Sequence, residues 1–456
     1  MARLRAYSRL EENMKVLLVG GTGFLGHHIA DQLRKAGHGV MLVVRNSQHA
    51  QHSFYDSCRK ITGDLNNVEQ WLPRALSEAD AVIYCAGATF RLGQPAPDFE
   101  KVNVEFTRRF FEIAGLDPKR VVYVSSSSTL GGTKMPHLAH DDSTPDPALP
   151  RNVYDLTKIA SEKLAKDSAR KKNIDLVTVK PCFMLGPRLD DRGDFSSSGF
   201  LLDFLNGKFP FFVKGGHSFC DVRDVARGVV SALERGRGGR QYILGGHNMT
   251  LAKFFDHFAF IVNKRAPALV PTWMPRGLSQ LLQGISVLTF GLFKNPIPPD
   301  LARGMGYYYF TSSQRAVDEL SYEISPIEKT LRDFANFCDE TGLTENHLQM
   351  RAASFPTAPG AERLLDYLIR RHRYAEFLKK HGGSIRLIFS TNEALKNHLH
   401  QIHLVSSYRR REGDFKIPAD AKGSLFLVSQ FFEYLYFSSN DFFHSIPFRT
   451  ADASNG

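Results

Sequence analysis

Residues 15–26 read KVLLVGGTGFLG, in which a short apolar run leads directly into a cluster of glycines. The apolar run, 15–19, predicts a buried β-strand, and the residues from 25 to 36 predict a helix. A glycine-rich turn between a strand and a helix allows the backbone at the helix N-terminus to approach a pyrophosphate. This stretch therefore predicts a dinucleotide-binding βα unit near the start of the fold.

Each glycine of the turn has a separate expected role. Gly20 permits the tight turn, Gly23 lets the backbone approach the pyrophosphate, and Gly26 allows helix and strand to pack closely. A glycine pattern alone is weak evidence, but this one lies between a strand and a helix in an alternating chain, which makes it specific. The predicted contacts of this loop are Gly20, Thr22, Gly23, Phe24, Leu25 and Gly26.

The chain beyond the turn alternates short apolar runs with longer amphipathic ones. Strands are predicted at 15–19, 40–44, 81–85, 121–124, 174–179 and 241–244, and helices at 25–36, 103–114, 154–169 and 224–234. Such alternation is typical of parallel strands joined by crossover helices. We therefore predict an α/β fold, a doubly wound parallel sheet (Rossmann) with a smaller substrate-capping region after Pro181.

A small, Pro-containing and aperiodic segment, 352–360, is typical of a linker. Ahead of it, a capping box from Ser325 to Glu328 predicts the start of a last helix that runs to about Asp339. The expected organisation is one domain over 14–343 (14–180 mainly cofactor-binding, 181–343 mainly substrate-capping), a linker over 344–361, and an additional C-terminal α+β unit over 362–450.

The C-terminal unit gives no indication of its function. Within it we predict a helix at 362–380, a strand at 385–389 and a helix at 392–403. On that last helix only His400 and His403 would share a face with each other, and no carboxylate or thiol spacing completes a ligand set. No metal site is therefore expected.

The residue that follows the second strand bears on cofactor choice. In sheets of this type an acidic residue there holds both ribose hydroxyls of NAD. Here Val44 and Arg45 occupy the position, and a guanidinium can bind a 2′-phosphate that a carboxylate would repel. Asp64 and Leu65, after the third strand, fit the rim of an adenine pocket. NADP(H) is the preferred cofactor on this reasoning, with NAD(H) as the alternative.

Three side chains form the candidate catalytic group. Tyr154 and Lys158 are four residues apart on one predicted helix, so they share a face. A neighbouring cation favours tyrosinate, which would lower the pKa of the phenol and make it a usable proton donor or acceptor. Ser126 lies at the carboxyl end of a strand, where ligands of such sheets bind. Because 125–128 are all serines, Ser127 remains an alternative to Ser126.

With these motifs in order, the sequence from about 14 to 343 resembles the extended short-chain dehydrogenase/reductase superfamily. The motifs are the glycine loop, 103–107 (NVEFT), 125–126 (SS), 154–158 (YDLTK), 181–187 (PCFMLGP) and 221–226 (DVRDVA). The branch it is most similar to holds dihydroflavonol 4-reductases and hopanoid-associated sugar epimerases, with 3β-hydroxysteroid dehydrogenases nearby.

The resemblance implies a role for each matching residue. Tyr154 would exchange the proton, Lys158 would also bind the nicotinamide ribose, and Ser126 would hydrogen-bond the reacting oxygen. The remaining predicted cofactor contacts are Ala86, Gly87, Asn103 and Pro181.

Hydride would then pass between the nicotinamide and a carbinol carbon of a hydrophobic or moderately polar small molecule. Aromatic residues of the capping region favour such a substrate: Phe209, Phe211, Phe212, Trp273 and 307–310 (YYYF). Two alternatives remain, namely a nucleotide-sugar epimerase or dehydratase with retained NAD, and a non-catalytic NADP-binding regulatory protein.

Bulk properties narrow the partners. The 456 residues carry a net charge of +11 with a pI near 9.3, but the Lys and Arg are scattered, so nucleic acid is not an expected partner. Five cysteines without close spacing, and a first segment with no apolar stretch, predict a reduced cytoplasmic protein. The uncharged stretch 277–293 predicts an amphipathic helix that packs on the body or touches a membrane surface. The sequence also leaves a homo-oligomer open.

Overall fold

The computed structural model describes residues 13–45, 52–90, 97–113, 119–144, 146–190, 194–289, 295 and 299–351, and the backbone of 384–390 and 401–407. The chain divides into two units, Met1–Arg351 and Ala352–Gly456.

The described part of the first unit contains fourteen β-strands. They are β1 (Lys15–Val19), β2 (Gly39–Val44), β3 (Arg59–Thr62), β4 (Ala81–Tyr84), β5 (Arg120–Val124), β6 (Leu138–Ala139), β7 (Asp175–Pro181), β8 (Phe183–Leu185), β9 (Phe211–Val213), β10 (Gly216–Asp221), β11 (Gln241–Leu244), β12 (His247–Thr250), β13 (Ala268–Val270) and β14 (Tyr308–Thr311).

Helices alternate with these strands. They are α1 (Phe24–Lys35), α2 (Val68–Glu78), α3 (Phe106–Glu112), α4 (Val153–Lys172), α5 (Phe200–Leu205), α6 (Val222–Arg235), α7 (Leu251–Ile261), α8 (Trp273–Leu288), α9 (Pro299–Arg303), α10 (Gln314–Leu320) and α11 (Ile327–Glu340). A π-helical turn, Glu100–Glu105, leads into α3, and 3₁₀ turns span Ser53–Tyr55, Leu65–Asn67, Ser127–Leu130 and Ser196–Gly199.

Seven strands form one parallel sheet in the order β11-β7-β5-β4-β1-β2-β3. The chain moves outward from β1 to β3 and then returns to β4, which pairs with β1 on its other side. The strand order therefore reverses between β1 and β4. In open sheets of this kind, ligands bind in the crevice at the carboxyl ends of the strands at such a reversal. The doubly wound fold predicted from the alternation is confirmed.

Both faces of this sheet are covered. Along β1, Val16 and Leu18 belong to a core shared with α1 and α6, and Leu17 and Val19 belong to a second core shared with α2, α3 and α4. All four side chains are at most 1% exposed. This two-sided burial explains why the strands are continuously apolar rather than alternating.

The capping region begins directly after β7. A five-stranded sheet has the order β12-β10-β14-β6, with β8 paired to β10, and β9 pairs with β13 beside it. The capping box predicted at Ser325 is wrong: α11 has Pro326 at its N-cap and no side-chain cap. The backbone N–H and hydroxyl of Ser325 instead donate to the Asp224 carboxylate at 2.6 and 2.8 Å, a partner that lies 101 residues away and that local spacing does not reveal.

Residues 344–351, which were expected to form the start of the linker, belong to the first unit and contact its other residues. The backbone N–H of Leu348 donates to Asp339 (3.0 Å), and that of Arg351 donates to the Ile261 carbonyl (2.8 Å). Leu348 and Met350 also pack against the core. These residues lie between the predicted end of the last helix and the small, Pro-containing segment 352–360, which suggested a linker, whereas tertiary contacts hold them on the body.

The second unit contains an antiparallel pair, β15 (Ser384–Ser390) and β16 (Gln401–Ser407). The strand predicted at 385–389 lies within β15. The helix predicted at 392–403 is wrong at its end, since 401–403 belong to β16, where His403 pairs with Ile388. Cross-strand pairing outweighs the local helical pattern there. The rest of that helix, with His398 and His400, and the helix at 362–380 lie outside the described residues.

Candidate active site

A cavity of about 380 Å³ lies at the carboxyl edge of the large sheet, where the strand order reverses. Loops that follow β1, β4, β5 and β7 form its inner wall, and residues of the capping region form the outer wall. The predicted site residues that line it are Gly20, Gly23, Phe24, Leu25, Gly26, Ala86, Gly87, Ser126, Tyr154, Lys158 and Pro181. Residues separated by up to 161 positions in sequence therefore meet in one cleft.

The glycine loop is built as its pattern predicts. Gly20 has φ +87°, and a Cβ on it would stand 2.7 Å from the Ala86 nitrogen. A Cβ on Gly26 would collide with the Gly20 carbonyl oxygen and approach Gly21 Cα at 2.6 Å. Gly23 is the N-cap of α1 and provides no capping side chain. The first-turn backbone of α1 therefore faces the cavity, which suits a phosphate group.

Tyr154 lies in the first turn of α4, whose start is fixed by a reciprocal capping box. Asn152 Oδ1 accepts from the Asp155 N–H at 2.9 Å, and the Asp155 carboxylate accepts from the Asn152 N–H at 3.3 Å. The side chains of Ser126 and Thr89 lie close enough to the Tyr154 phenol to act on its pKa. Phe99 packs edge-on against its ring at 5.9 Å. Thr89 was not anticipated from the sequence.

Burial raises the pKa of the Tyr154 phenol to about 12, while the nearby side chains of Ser126 and Thr89 act in the opposite direction. The expectation that Lys158 would lower this pKa is therefore wrong for the site as it stands, because desolvation of the phenolate outweighs other effects. At neutral pH the phenol is protonated, which fits a proton donor.

Lys158 is buried one turn further along α4. Its Nζ donates to the Val124 carbonyl at 3.1 Å and lies 5.5 Å from the centroid of the Tyr123 ring. Burial lowers the pKa of this ammonium to about 8, against the opposing effects of Cys85 and Glu162. A Cβ on Gly87 would stand 3.9 Å from Nζ, so the loop after β4 borders the ammonium.

The serine run resolves into distinct environments. Ser126 caps the 3₁₀ turn by accepting from the Ser128 N–H at 3.2 Å, and its carbonyl accepts from Thr129 Oγ1 at 2.8 Å. The Ser127 side chain instead lies near the Cys182 thiol, whose pKa it lowers. Of the two serines that the sequence left open, the structure brings Ser126 to the phenol.

A buried ion pair, missed from the sequence, supports this serine turn. Lys180 Nζ donates to Glu162 Oε1 (2.9 Å) and to Thr129 Oγ1 (2.7 Å), while Ser125 Oγ donates to Glu162 Oε2 (2.5 Å). Burial opposes ionisation of Glu162, but Lys180 and Lys166 outweigh it and hold the carboxyl pKa at about 2. The available signal was Lys180 itself, a cation inside an otherwise apolar strand that needs a buried partner.

Asn103 lies behind the cavity wall rather than in it. Its Oδ1 accepts from the Ala88 N–H at 2.8 Å and its Nδ2 donates to Thr157 Oγ1 at 3.2 Å. The amide thus ties the loop after β4 to α4. The other predicted contacts outside the cavity lining are Thr22, Arg45, Asp64 and Leu65.

Arg45 and Asp64 follow β2 and β3, whose last residues, Val44 and Thr62, are paired. Both therefore lie at the same carboxyl edge as the glycine loop. Asp64 Oδ1 accepts from the Asn66 N–H at 2.8 Å and caps a 3₁₀ turn.

The outer wall of the cavity is aromatic and apolar. His217 stacks on Tyr309 with ring centroids 5.0 Å apart and 3° between planes, and Phe183, Met305 and Tyr307 lie beside them. Burial lowers the pKa of His217 to about 4, so its imidazole is neutral. Of the other aromatics proposed for this wall, Phe209 and Phe212 pack on Phe255 and Trp273 is 71% exposed.

Charge is scarce in the cavity. Among the described residues that line it, Lys158 is the one Lys or Arg and Asp155 is the one carboxylate. Burial raises the pKa of Asp155 to about 6. In the described part of the chain, no group of three or more His, Cys, Asp or Glu side chains is arranged to hold a metal ion.

A parallel sheet with a reversed strand order, a phosphate-compatible glycine loop at the reversal and a polar group beside it define an NAD(P)-binding enzyme of the reductase or epimerase type. The model of the NAD dependent epimerase/dehydratase family matches residues 16–245. The chain belongs to this family.

The relatives include reductases as well as an epimerase. The "Putative dihydroflavonol 4-reductase" of Synechocystis sp. is 28% identical over 339 residues, which are 72% of this chain and 95% of the relative. The 4-hydroxy-2-methyl-3-oxo-4-farnesyl-3,4-dihydroquinoline-1-oxide ketoreductase of Stigmatella aurantiaca is 30% identical over 235 residues, 51% of this chain and 68% of the relative. The crystal structure of a nucleoside-diphosphate-sugar epimerase from Pseudomonas aeruginosa is 25% identical, with TM-score 0.60, and covers 73% of this chain and all of that one.

Proposed function

We propose that the protein is an NADP(H)-dependent oxidoreductase that interconverts a carbonyl and an alcohol on a neutral, largely apolar small molecule. The observation that carries this proposal is the cavity wall, where the described lining is rich in aromatic and aliphatic side chains and contains Lys158 as its one Lys or Arg. An apolar substrate gains free energy from burial against such a wall. A nucleotide sugar would bring a diphosphate, which requires cations or several donors in the substrate half.

The cofactor supplies hydride exchange at the nicotinamide when it is bound. Tyr154 then donates its phenolic proton to the oxygen of the reduced carbonyl, a step suited to a phenol that burial keeps protonated. Ser126 donates a hydrogen bond to the same oxygen as negative charge develops on it. Lys158 provides a cation beside the loop after β4, where it can bind the nicotinamide ribose.

Arg45 selects NADP(H) over NAD(H) in this proposal. It follows β2 at the edge where the adenosine ribose would lie, and the sequence offers no carboxylate at that position. A guanidinium gives paired, charge-assisted hydrogen bonds to a 2′-phosphate.

A nucleotide-sugar epimerase is the second candidate, favoured by the solved epimerase that is 25% identical over its whole length. The scarcity of cations in the cavity weighs against it. The name of the Stigmatella ketoreductase specifies a farnesyl-bearing ketone, and a substrate of that chemical class suits the apolar wall better.

The proposal is tested with the full chain, a panel of aromatic and terpenoid ketones, and NADPH oxidation as readout. With a ketone that the unaltered protein reduces, Tyr154→Phe should lower turnover at least about a hundredfold while NADPH binding survives. Ser126→Ala should lower turnover with little change in NADPH binding, and Ser127→Ala serves as the matched control. Full activity of Tyr154→Phe would show that the proton donor is another group.

The epimerase alternative is distinguished by the purified protein itself. A retaining epimerase carries tightly bound NAD, so stoichiometric NAD released on denaturation, together with no NADPH-dependent ketone reduction, would overturn the reductase proposal.

A further inference from the structure

Helix α8 presents its apolar side chains to solvent. Trp273, Leu281, Val287 and Leu288 are 71, 63, 66 and 80% exposed, and Met274, Leu278 and Ile285 add 44, 40 and 38%. The buried positions of the helix are Pro275 and Ser279. A surface helix of a water-soluble domain normally has the opposite orientation, with its apolar side inward.

The apolar surface continues beyond the helix. Leu269, in β13 just before α8, is 58% exposed. We call α8 together with Leu269 the apolar platform. A contiguous apolar surface of this kind marks an interaction site more often than scattered single residues do.

Hydrogen bonds between α8 and neighbouring residues fix the orientation of the platform. Arg276 donates from Nη2 to the Met305 carbonyl at 2.8 Å and from Nε to the Ala302 carbonyl at 3.3 Å. Asn295 Nδ2 donates to the Ser279 carbonyl at 2.9 Å on the buried side. Arg276 and the Ser279 carbonyl thus attach α8 to the body on one side, and the apolar side chains lie on the outward side.

The sequence that contains the platform is basic, and the next acidic residue, Asp300, lies in α9. The sequence has no Asp or Glu from 257 to 299, and its cations there are Lys264, Arg265, Arg276 and Lys294. Arg265 is exposed, and so is Lys214, which follows β9 beside the end of β13 that leads into α8. The whole chain carries +11. An apolar face with basic residues at its margin complements an anionic lipid surface.

We propose that the apolar platform docks on an anionic phospholipid membrane, with α8 lying in the interface parallel to the surface. Such a membrane is a better occupant than a second copy of the chain, because two surfaces that both carry exposed basic residues at their margins would repel each other. The proposal concerns the membrane surface only, since no helix in the described ranges is long and apolar enough to cross a bilayer.

The platform also adjoins the cavity. Met305, which accepts the hydrogen bond from Arg276, lines the cavity together with Gly306 and Tyr307. If the proposed function holds, docking would place the outer wall of the cavity near the membrane, from which a lipophilic ketone could enter. The docking proposal itself does not depend on that activity.

The two tryptophans provide the assay. Trp71 is 8% exposed and Trp273 is 71% exposed, so a vesicle-induced blue shift of emission reports Trp273. The full chain is mixed with phosphatidylcholine vesicles with and without phosphatidylglycerol, and cosedimentation is measured in parallel. We expect a blue shift and cosedimentation with anionic vesicles, both weakened by salt. Trp273→Phe should keep cosedimentation and lose the shift.

Leu281→Gln combined with Leu288→Gln should weaken vesicle binding about tenfold or more, since it removes two of the most exposed apolar side chains. Val317→Gln, on α10 and 40% exposed, is the matched control and should bind like the unaltered chain.

Four results would overturn the proposal: no shift with anionic vesicles, equal binding of the double variant, a blue shift that depends on protein concentration without vesicles, or Trp273 already protected from acrylamide in their absence. The last two would assign the platform to a second copy or to another part of the chain. Because no substrate or turnover enters these measurements, an inactive enzyme leaves the docking result standing, and failure to dock leaves the reductase proposal standing.

Discussion

Replacing Lys180 by methionine would leave the buried Glu162 carboxylate without the one of its two lysine partners that is itself buried. The two side chains are 4% and 9% exposed, and their charged atoms are 2.9 Å apart. Removing one partner of a buried pair costs about 3–5 kcal/mol, because the remaining charge stays desolvated. Lys166 still contacts the same carboxylate oxygen at 2.6 Å. We therefore expect a loss near the lower end, about 3 kcal/mol.

The pH dependence has a definite sign. The cations hold the folded-state pKa of Glu162 at about 2, below its ordinary 4.5. The stabilisation that ionised Glu162 provides is therefore complete above pH 4.5 and is lost as the pH falls toward 2. In Lys180→Met the carboxyl stays buried but loses the cation that lowers its pKa most, so that pKa rises. The deficit of that variant should then be largest near neutral pH and shrink as the solution becomes acidic.

Tryptophan fluorescence during urea unfolding measures this effect in the full chain, because both tryptophans belong to the first unit. In a Trp273→Phe background the signal comes from Trp71, which packs over Gly63 in the second core. Lys163→Met, on the helix that carries Glu162, is the matched control: its pair with Asp167 is 2.6 Å long but 77% exposed on the lysine side, so solvent screens it and its loss should change stability little.

A double variant, Lys180→Met with Glu162→Gln, removes both charges and should recover much of the lost stability. Two results would refute the reasoning. One is a Lys180→Met protein as stable as its parent at neutral pH, and the other is a double variant no more stable than the single one.

Two further predictions concern the cofactor and the chain boundary. Arg45→Ala should weaken NADPH binding by about 1.5–3 kcal/mol and leave NADH binding nearly unchanged. Arg74→Ala is the surface control, and titration with both cofactors measures the effect. Equal affinity of the unaltered protein for NADPH and NADH would contradict the prediction. A chain ending at Arg351 should fold and bind NADP. One ending at Thr344 should melt several degrees lower, because it lacks the packing and hydrogen bonds of Leu348 and Arg351. Thermal unfolding followed by fluorescence compares the two, and equal midpoints would place 345–351 outside the folded unit.

The sequence predicted most of the large sheet because its strands are buried on both faces. Continuous apolar runs such as 15–19 carry that burial directly, and the glycine loop carries a backbone requirement that few other residues meet. Local signals with distant partners were misread. Ser325 looks like a helix cap, yet it binds Asp224, and the segment from 344 looks like a linker, yet it packs on α11 and α7.

The sequence by itself determined the doubly wound fold, the glycine loop and the pairing of Tyr154 with Lys158 on one helix, since each rests on short-range periodicity. Only the tertiary structure decided which serine acts on the phenol, that burial raises the phenol pKa, and that Lys180 and Glu162 support the serine turn. It also decided that α8 turns its apolar face outward. These properties depend on burial and on contacts between residues far apart in the chain, and desolvation, which governs the pKa of a buried group, has no local signature in the sequence.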